Sequence, residues 1–326
     1  MYEKISEVEK KFNITDFPLN IIVEPSNFCN LNCTTCANNK LTRPRGHMDV
    51  LLYKKIIDEI AEENPNARVW LDFYGEPLLE RFKLFYMIDY GKRRGLTNIC
   101  VNTNGTLLNK EMAEMLLDSG IDFISIDCDG FSKEVYEKIR INGKRDVTYA
   151  NIEYFLQRKK ERGLSKPIIE VKAMEMEENK DEVDLIINYW RERGAWTTTR
   201  RLISWAGMVD EIRPEIRDDR IACGNAVGTM AITWEGKVSL CVMDVNCDYP
   251  CGDANTESIK DIWQRHNREF VALHMEHRFD ELPDICKNCT DWEIIGEERY
   301  DENGNRMDKS YAENDQMLTA ESGTNA

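Results

Sequence analysis

The chain has 326 residues, 42% of them hydrophobic, enough to bury the core of one large domain or of a barrel with a small appendage. A formal net charge of −16 disfavours a nucleic-acid backbone as the main partner, because binding phosphates needs a basic footprint. No window approaches twenty apolar residues and the charged start MYEKISEVEKKF has no apolar core, so neither a membrane span nor a secretion signal is expected, and a cytoplasmic location is.

Residues 1 to 17 read as an N-terminal extension. Leu19 to Glu24 (LNIIVE) reads as a buried strand, and Val50 to Glu63 has helical spacing. Arg68 to Phe73 is a second strand, with a helix from Leu78 to Arg94. Asn98 to Asn102 is a third, with a helix from Lys110 to Ser119. Phe123 to Asp127 is a fourth, with helices from Lys133 to Arg140 and from Thr148 to Arg162. Ile168 to Met174 is a fifth, with a helix from Asp181 to Arg193, and Thr197 to Ser204 is a sixth. Six strand–helix alternations predict an α/β fold, a parallel sheet with helices outside, curled by right-handed crossovers into a partial (βα)6 barrel over residues 18–206. The pattern changes after residue 205. Gly228 to Trp234 and Lys237 to Val242, joined by a Gly-containing turn, predict a β-hairpin, and Ser258 to His274 a helix, in a small domain spanning 207–296. The polar stretch 297–326 predicts a disordered tail.

Eleven cysteines in a chain without a signal peptide point to metal or chemistry rather than disulfides. Cys29, Cys33 and Cys36 form a CxxxCxxC run directly after the first strand. Three thiolates in eight residues can cap one face of a four-iron cluster and leave one iron open. A zinc site short of one ligand is the alternative on spacing alone.

The run, placed after strand one of a partial barrel, resembles the radical S-adenosylmethionine (SAM) superfamily, over residues 18 to 206. Further motifs of that family follow in order. Tyr74-Gly75-Glu76-Pro77 resembles its GGEP motif, Asn102 to Gly105, including Asn104, its TNG loop, and Ser125 to Asp127 the strand-four end that binds SAM. The family's aromatic residue before the third cysteine is replaced by Thr35, and Phe28 is the candidate to pack on adenine in its place. Tyr74 stands where the family has glycine. The resemblance implies a SAM-cleaving 4Fe-4S cluster on the three cysteines. It also implies a SAM molecule held by these loops, and an electron donor such as flavodoxin or ferredoxin.

A second set follows. Cys223, Gly236 and Cys241 fit the CX9–15GX4C opening of SPASM and twitch auxiliary-cluster domains, and Pro283-Asp-Ile-Cys286-Lys-Asn-Cys289 resembles their closing P-x-x-CxxC. No cysteine follows Cys289, which favours the shorter twitch type with one auxiliary 4Fe-4S cluster on Cys223, Cys241, Cys286 and Cys289. The same four thiolates could instead hold zinc. Their separations resemble those of the enzyme that dehydrogenates 2-deoxy-scyllo-inosamine.

The remaining cysteines carry less pattern. Cys100 reads as a core residue within strand three, and Cys128 ends strand four. Cys247 and Cys251 form a further CxxxC and are candidates for spare thiols, cluster ligands or a hydrogen-atom donor. Of Arg200 and Arg201, alternation turns one into the barrel, where it could bind an anion or assist deprotonation. His266, His274 and His277 read as surface residues. Three functions stand open. The first is oxidation of a sugar, polyol or aminocyclitol-like small molecule, with the auxiliary cluster as electron acceptor. The second is peptide modification or epimerisation. The third is non-catalytic iron–sulfur carriage.

Overall fold

The computed structural model of the chain describes residues 12–209 and 220–294. The expected tail at 297–326, most of the N-terminal extension and residues 210–219 lie outside the described residues.

Six parallel strands follow the predicted order: β1 (Asn20–Val23), β2 (Arg68–Trp70), β3 (Ile99–Thr103), β4 (Phe123–Asp127), β5 (Ile168–Glu175) and β6 (Trp196–Arg201). Between them lie α1 (Val50–Glu63), α2 (Arg81–Arg93), α3 (Lys110–Asp118), α4 (Lys133–Ile139), α5 (Arg145–Glu161) and α6 (Val183–Glu192). Side-chain oxygens cap several helix starts: Asp49 accepts from Leu51 and Leu52 N–H, Asn109 from Met112 N–H and Ser132 from Val135 N–H. The sheet does not close.

Each strand has two differently used faces, as period-two alternation requires. Ile21, Val69, Ile99, Val101, Ile124, Ile126, Val171 and Ala173 join the helices in the main core. Trp70, Cys100 and Phe123 form a separate apolar cluster with Ile22, Ile168 and Trp196, which is the floor of the barrel lumen. Cys100 is thus a core residue, as expected.

The hairpin is β7 (Thr229–Ile232) and β8 (Lys237–Ser239), extended by β9 (Gly252–Asp253). β7 pairs in parallel with β1, from Asn20 opposite Thr229 to Val23 opposite Ile232, so one nine-stranded sheet runs β6-β5-β4-β3-β2-β1-β7-β8-β9. Its turn needs Gly236: φ is +90°, and a Cβ there would meet Asn255 Nδ2. After α7 (Ile259–His266) a π-turn at Asn267–Val271 leads to α8 (Ala272–Met275). Ile259, Ile262 and Trp263 enter the same core as the barrel helices. This corrects one reading. His266 and His274 are buried, on one helix face with Phe270 between them, and of these three histidines His277 alone is exposed.

Candidate active site and auxiliary cluster cavity

The end of β1 is clamped before the cysteine loop begins. The buried Glu24 carboxylate accepts two bonds from Arg43, each 2.7 Å, and one from Trp234 N–H at 3.0 Å. Arg43 Nε also donates to Val245 O, at 3.0 Å. Cys29, Cys33 and Cys36 follow, and the backbone of their loop is pinned to the chain leaving α4. Asn32 N–H donates to Ile141 O at 3.1 Å and Thr34 N–H to Ile139 O at 3.0 Å.

Each sulfur already receives an N–H donor. Leu31 N lies 3.5 Å from Cys29 Sγ, Asn38 N 3.4 Å from Cys36 Sγ, and an Arg140 guanidinium nitrogen 3.7 Å from Cys33 Sγ. Such donors suit thiolates bound to iron. Without metal, burial pushes the Cys29 thiol up to about 11 and Cys36 to about 12, so cluster assembly must displace protons. The donor set therefore fits a three-thiolate cluster.

The GEP motif packs directly on this loop. Gly75 lies so close to it that a Cβ would sit 2.1 Å from Ser26 O, and Glu76 N–H donates to Phe28 O at 2.8 Å. The Glu76 carboxylate accepts from Thr103 Oγ1 at 2.7 Å, Asn104 N–H at 2.9 Å and Leu78 N–H at 3.0 Å. Burial still outweighs those donors and raises it to about 7, which leaves it receptive to an arriving cation. Pro77 opens the short turn that Glu76 caps. Asn104 Nδ2 reaches Asn30 Oδ1 at 3.0 Å, which joins the TNG loop to the cysteine loop.

Tyr74 is buried, donates to Val242 O at 2.6 Å and lies 5.4 Å from the Trp205 ring. Trp205 Nε1 donates to Thr35 O at 2.8 Å. Thr35 itself is buried, whereas Phe28 is 40% exposed, its ring 5.0 Å from that of His47.

Above the apolar floor the lumen is polar. Asn102 Nδ2 donates to Asp127 at 3.1 Å, and Lys172 Nζ lies 2.9 Å from Asn102 Oδ1 and 3.2 Å from Asp127. Ser125 donates to the buried Glu170 at 2.5 Å and Thr198 does so at 2.8 Å. Ser125 is wholly buried, so it braces the lumen wall through Glu170. Arg200 faces the same groups, and burial lowers its pKa against the pull of Glu170 and Asp127. Arg201 alternates to the other face.

Spacing gave no sign of several of these residues. Arg140, just past α4, sits 2.5 Å from Asp129 and 3.6 Å from Asp127 while touching Cys33. Asp72, Lys172, Glu170 and Trp205 were likewise missed. The alternation of Ile168 to Glu175 contained a signal, since Glu170 and Lys172 share one face. Cys128 turns away from the lumen, into the helix-side core beside Tyr149 and Trp190.

The structure brings the four cysteines of the second set to one place. Cys223, Cys241, Cys286 and Cys289 line one pocket with Arg220, His274 and Trp292. Among the described residues no three Cys, His, Asp or Glu side chains converge as a lone ion needs. The thiols instead surround a volume, which suits a multinuclear cluster. Both ring nitrogens of His274 and Trp292 Nε1 are buried there without hydrogen-bond partners. Asp291 ties this cavity to the end of β6, accepting from Ser204 N–H at 2.7 Å and Ala206 N–H at 2.8 Å. Cys247 and Cys251 lie outside the cavity lining. Cys251 Sγ is 3.3 Å from His266 Nδ1.

Comparison with known proteins agrees with this layout. Residues 23–169 match the radical SAM superfamily, and residues 223–290 match SPASM, an iron-sulfur cluster-binding domain. The S-adenosyl-L-methionine-dependent 2-deoxy-scyllo-inosamine dehydrogenase of Niallia circulans is 26% identical over 291 residues, covering 86% of this chain and 96% of that protein. The AdoMet-dependent heme synthase of Methanosarcina barkeri is 33% identical over 142 residues, 43% of this chain and 40% of that one. Among solved structures, BtrN in complex with AdoMet and 2-DOIA aligns with a TM-score of 0.58 at 22% identity, covering 84% of this chain and 93% of that one. Streptococcus suis SuiB bound to the precursor peptide SuiA gives a TM-score of 0.63 at 15% identity, over 89% and 74%. These two likenesses are of fold. With its CxxxCxxC loop at the head of a partial barrel and four further thiols around one cavity, the chain carries a radical SAM domain over residues 23–169 and a SPASM domain over residues 223–290, and so uses SAM, a SAM-cleaving 4Fe-4S cluster and auxiliary iron–sulfur chemistry.

Proposed function

We propose that this radical SAM enzyme dehydrogenates a secondary alcohol on a sugar, polyol or aminocyclitol-like substrate. The observation that carries the reading is the four-thiol cavity, fastened through Asp291 to the chain just past the strand that lines the lumen. The likeness to a dehydrogenase along 96% of that protein's length supports it.

In this reading Cys29, Cys33 and Cys36 hold the SAM-cleaving cluster and leave one iron for SAM. Glu76 receives the SAM ammonium, with Gly75 and Pro77 shaping the approach. Asn102, Asn104 and Asp127 line its other side, braced by Ser125, and Tyr74, Thr35 and Phe28 bound the adenine end. Cys223, Cys241, Cys286 and Cys289 hold one auxiliary cluster. Arg200 orients the substrate's polar groups from the lumen wall. The bound cofactors supply a 5′-deoxyadenosyl radical to remove hydrogen and an acceptor for one electron. A flavodoxin or ferredoxin supplies the reducing electron.

Stoichiometry tests the reading. One SAM consumed and one carbonyl formed per turnover is the expected result. An epimer without net oxidation would overturn it and turn attention to Cys247 and Cys251 as hydrogen-atom donors. The fold likeness to a peptide-bound relative keeps peptide modification as the second reading. SAM-dependent mass changes in a small peptide encoded beside this chain would favour it.

A further inference from the structure

Asp72 stands two residues beyond Trp70 of the lumen floor, with Leu71 between them turned into the helix-side core. It therefore faces the lumen. Asn102 N–H lies near enough to favour the charged carboxylate, while Oδ1 is shielded from solvent and has no hydrogen-bond partner. Its polar neighbours in the lumen are committed. Asp127 is paired with Lys172 and Asn102, and Glu170 takes two hydroxyl donors. Arg200 is a guanidinium, which stays protonated at neutral pH even when its pKa is lowered. His266 and His274 are buried in the small domain, and His47 lies beside Phe28 outside the lumen.

We propose that Asp72 is the catalytic base that accepts the substrate hydroxyl proton through Oδ1. The proposal rests on the dehydrogenase reading. As the carbinol C–H bond breaks, its hydrogen atom passes to the 5′-deoxyadenosyl radical and a new C–H bond forms there. The substrate O–H bond then breaks, and its proton forms an O–H bond on Asp72. The remaining unpaired electron leaves to the oxidised auxiliary cluster, which is reduced by one, and a C=O bond is completed.

Burial raises Asp72 to about 8, against Lys172, which lowers it, while Asp127 and Glu76 add to the rise. Among the charges around it, these three weigh most. A base poised near the working pH transfers protons with least waste.

The test uses reconstituted holoenzyme with SAM, a chemical reductant and 2-deoxy-scyllo-inosamine deuterated at the carbinol carbon. The D72N variant is expected to bind SAM and move deuterium into 5′-deoxyadenosine, with carbonyl per 5′-deoxyadenosine reduced about 100-fold. Independently of turnover, infrared titration of the wild type minus D72N should show a carboxylic-acid band lost as pH rises through about 8. An unchanged ratio in D72N, or a band already lost below pH 6, overturns the assignment alone. A wild type that forms 5′-deoxyadenosine and no carbonyl overturns the dehydrogenase reading instead.

Discussion

At the scale of single residues, buried charge decides what each substitution does. Arg140 is enclosed by Cys33, Asp129 and Asp127, so R140M would strand the Asp129 carboxylate without its cation. Breaking such a pair from one side costs about 3–5 kcal/mol, to be read from urea unfolding of the metal-free protein. Asp72 gives the opposite sign. Its carboxyl stays protonated in the fold to about pH 8 but ionises near 3.8 when unfolded, so unfolding releases a proton between those values. Stability contributed at this site therefore falls as pH rises from about 4 to about 8. Melting curves should show D72N gaining on the wild type across that window and holding its lead above it. G75A tests close approach. With Ser26 O 2.1 Å from the new Cβ, the cysteine loop must shift, and SAM affinity measured by calorimetry should drop at least tenfold, about 1.4 kcal/mol. The two cysteine sets and Glu76 stood out in the sequence because their spacing repeats a chemical requirement. Asp72, Arg140 and Trp205 were not, because a lone polar residue has no spacing. His266 and His274 misled for a related reason: an i, i+8 pair marks one face of a helix without saying which way that face turns.

At the scale of elements, strand–helix alternation was legible because hydrophobic period switches between two and 3.6 along the chain. β4 falls on its expected bounds, while β2 is shorter than Arg68 to Phe73, since the chain leaves the ladder to form the GEP turn. The pairing of β7 with β1 had no local signature, being a contact between residues some two hundred apart. The cavity makes a specific demand of its hairpin. C241S should lose about four irons and leave the SAM-dependent electron paramagnetic resonance change of the first cluster in place. The triple variant C29A/C33A/C36A should do the reverse, abolishing 5′-deoxyadenosine formation while keeping the auxiliary iron. Cleavage surviving in the triple variant would overturn the assignment of both centres.

At the scale of the whole molecule, the expected boundary near residue 206 is crossed by one sheet and one core. A chain cut there would expose the β1 edge and lose Trp234 and Val245 as partners of the Glu24–Arg43 clamp. It should come out insoluble or molten, as near-ultraviolet circular dichroism would reveal, and the full chain should unfold in one transition. Among the described residues no helix is long and apolar enough to cross a membrane.

The parallel seam between β1 and β7 also fixes how the two cysteine sets are carried relative to one another. One strand leads into the loop of the first three thiols, and the other rises from the helix that begins just after Cys223. Hydrogen bonds hold them at a fixed spacing, so the two cysteine sets, and the clusters proposed on them, ride on a common beam rather than across a hinge. Their magnetic coupling should accordingly show one narrow separation that does not widen when substrate enters or product leaves.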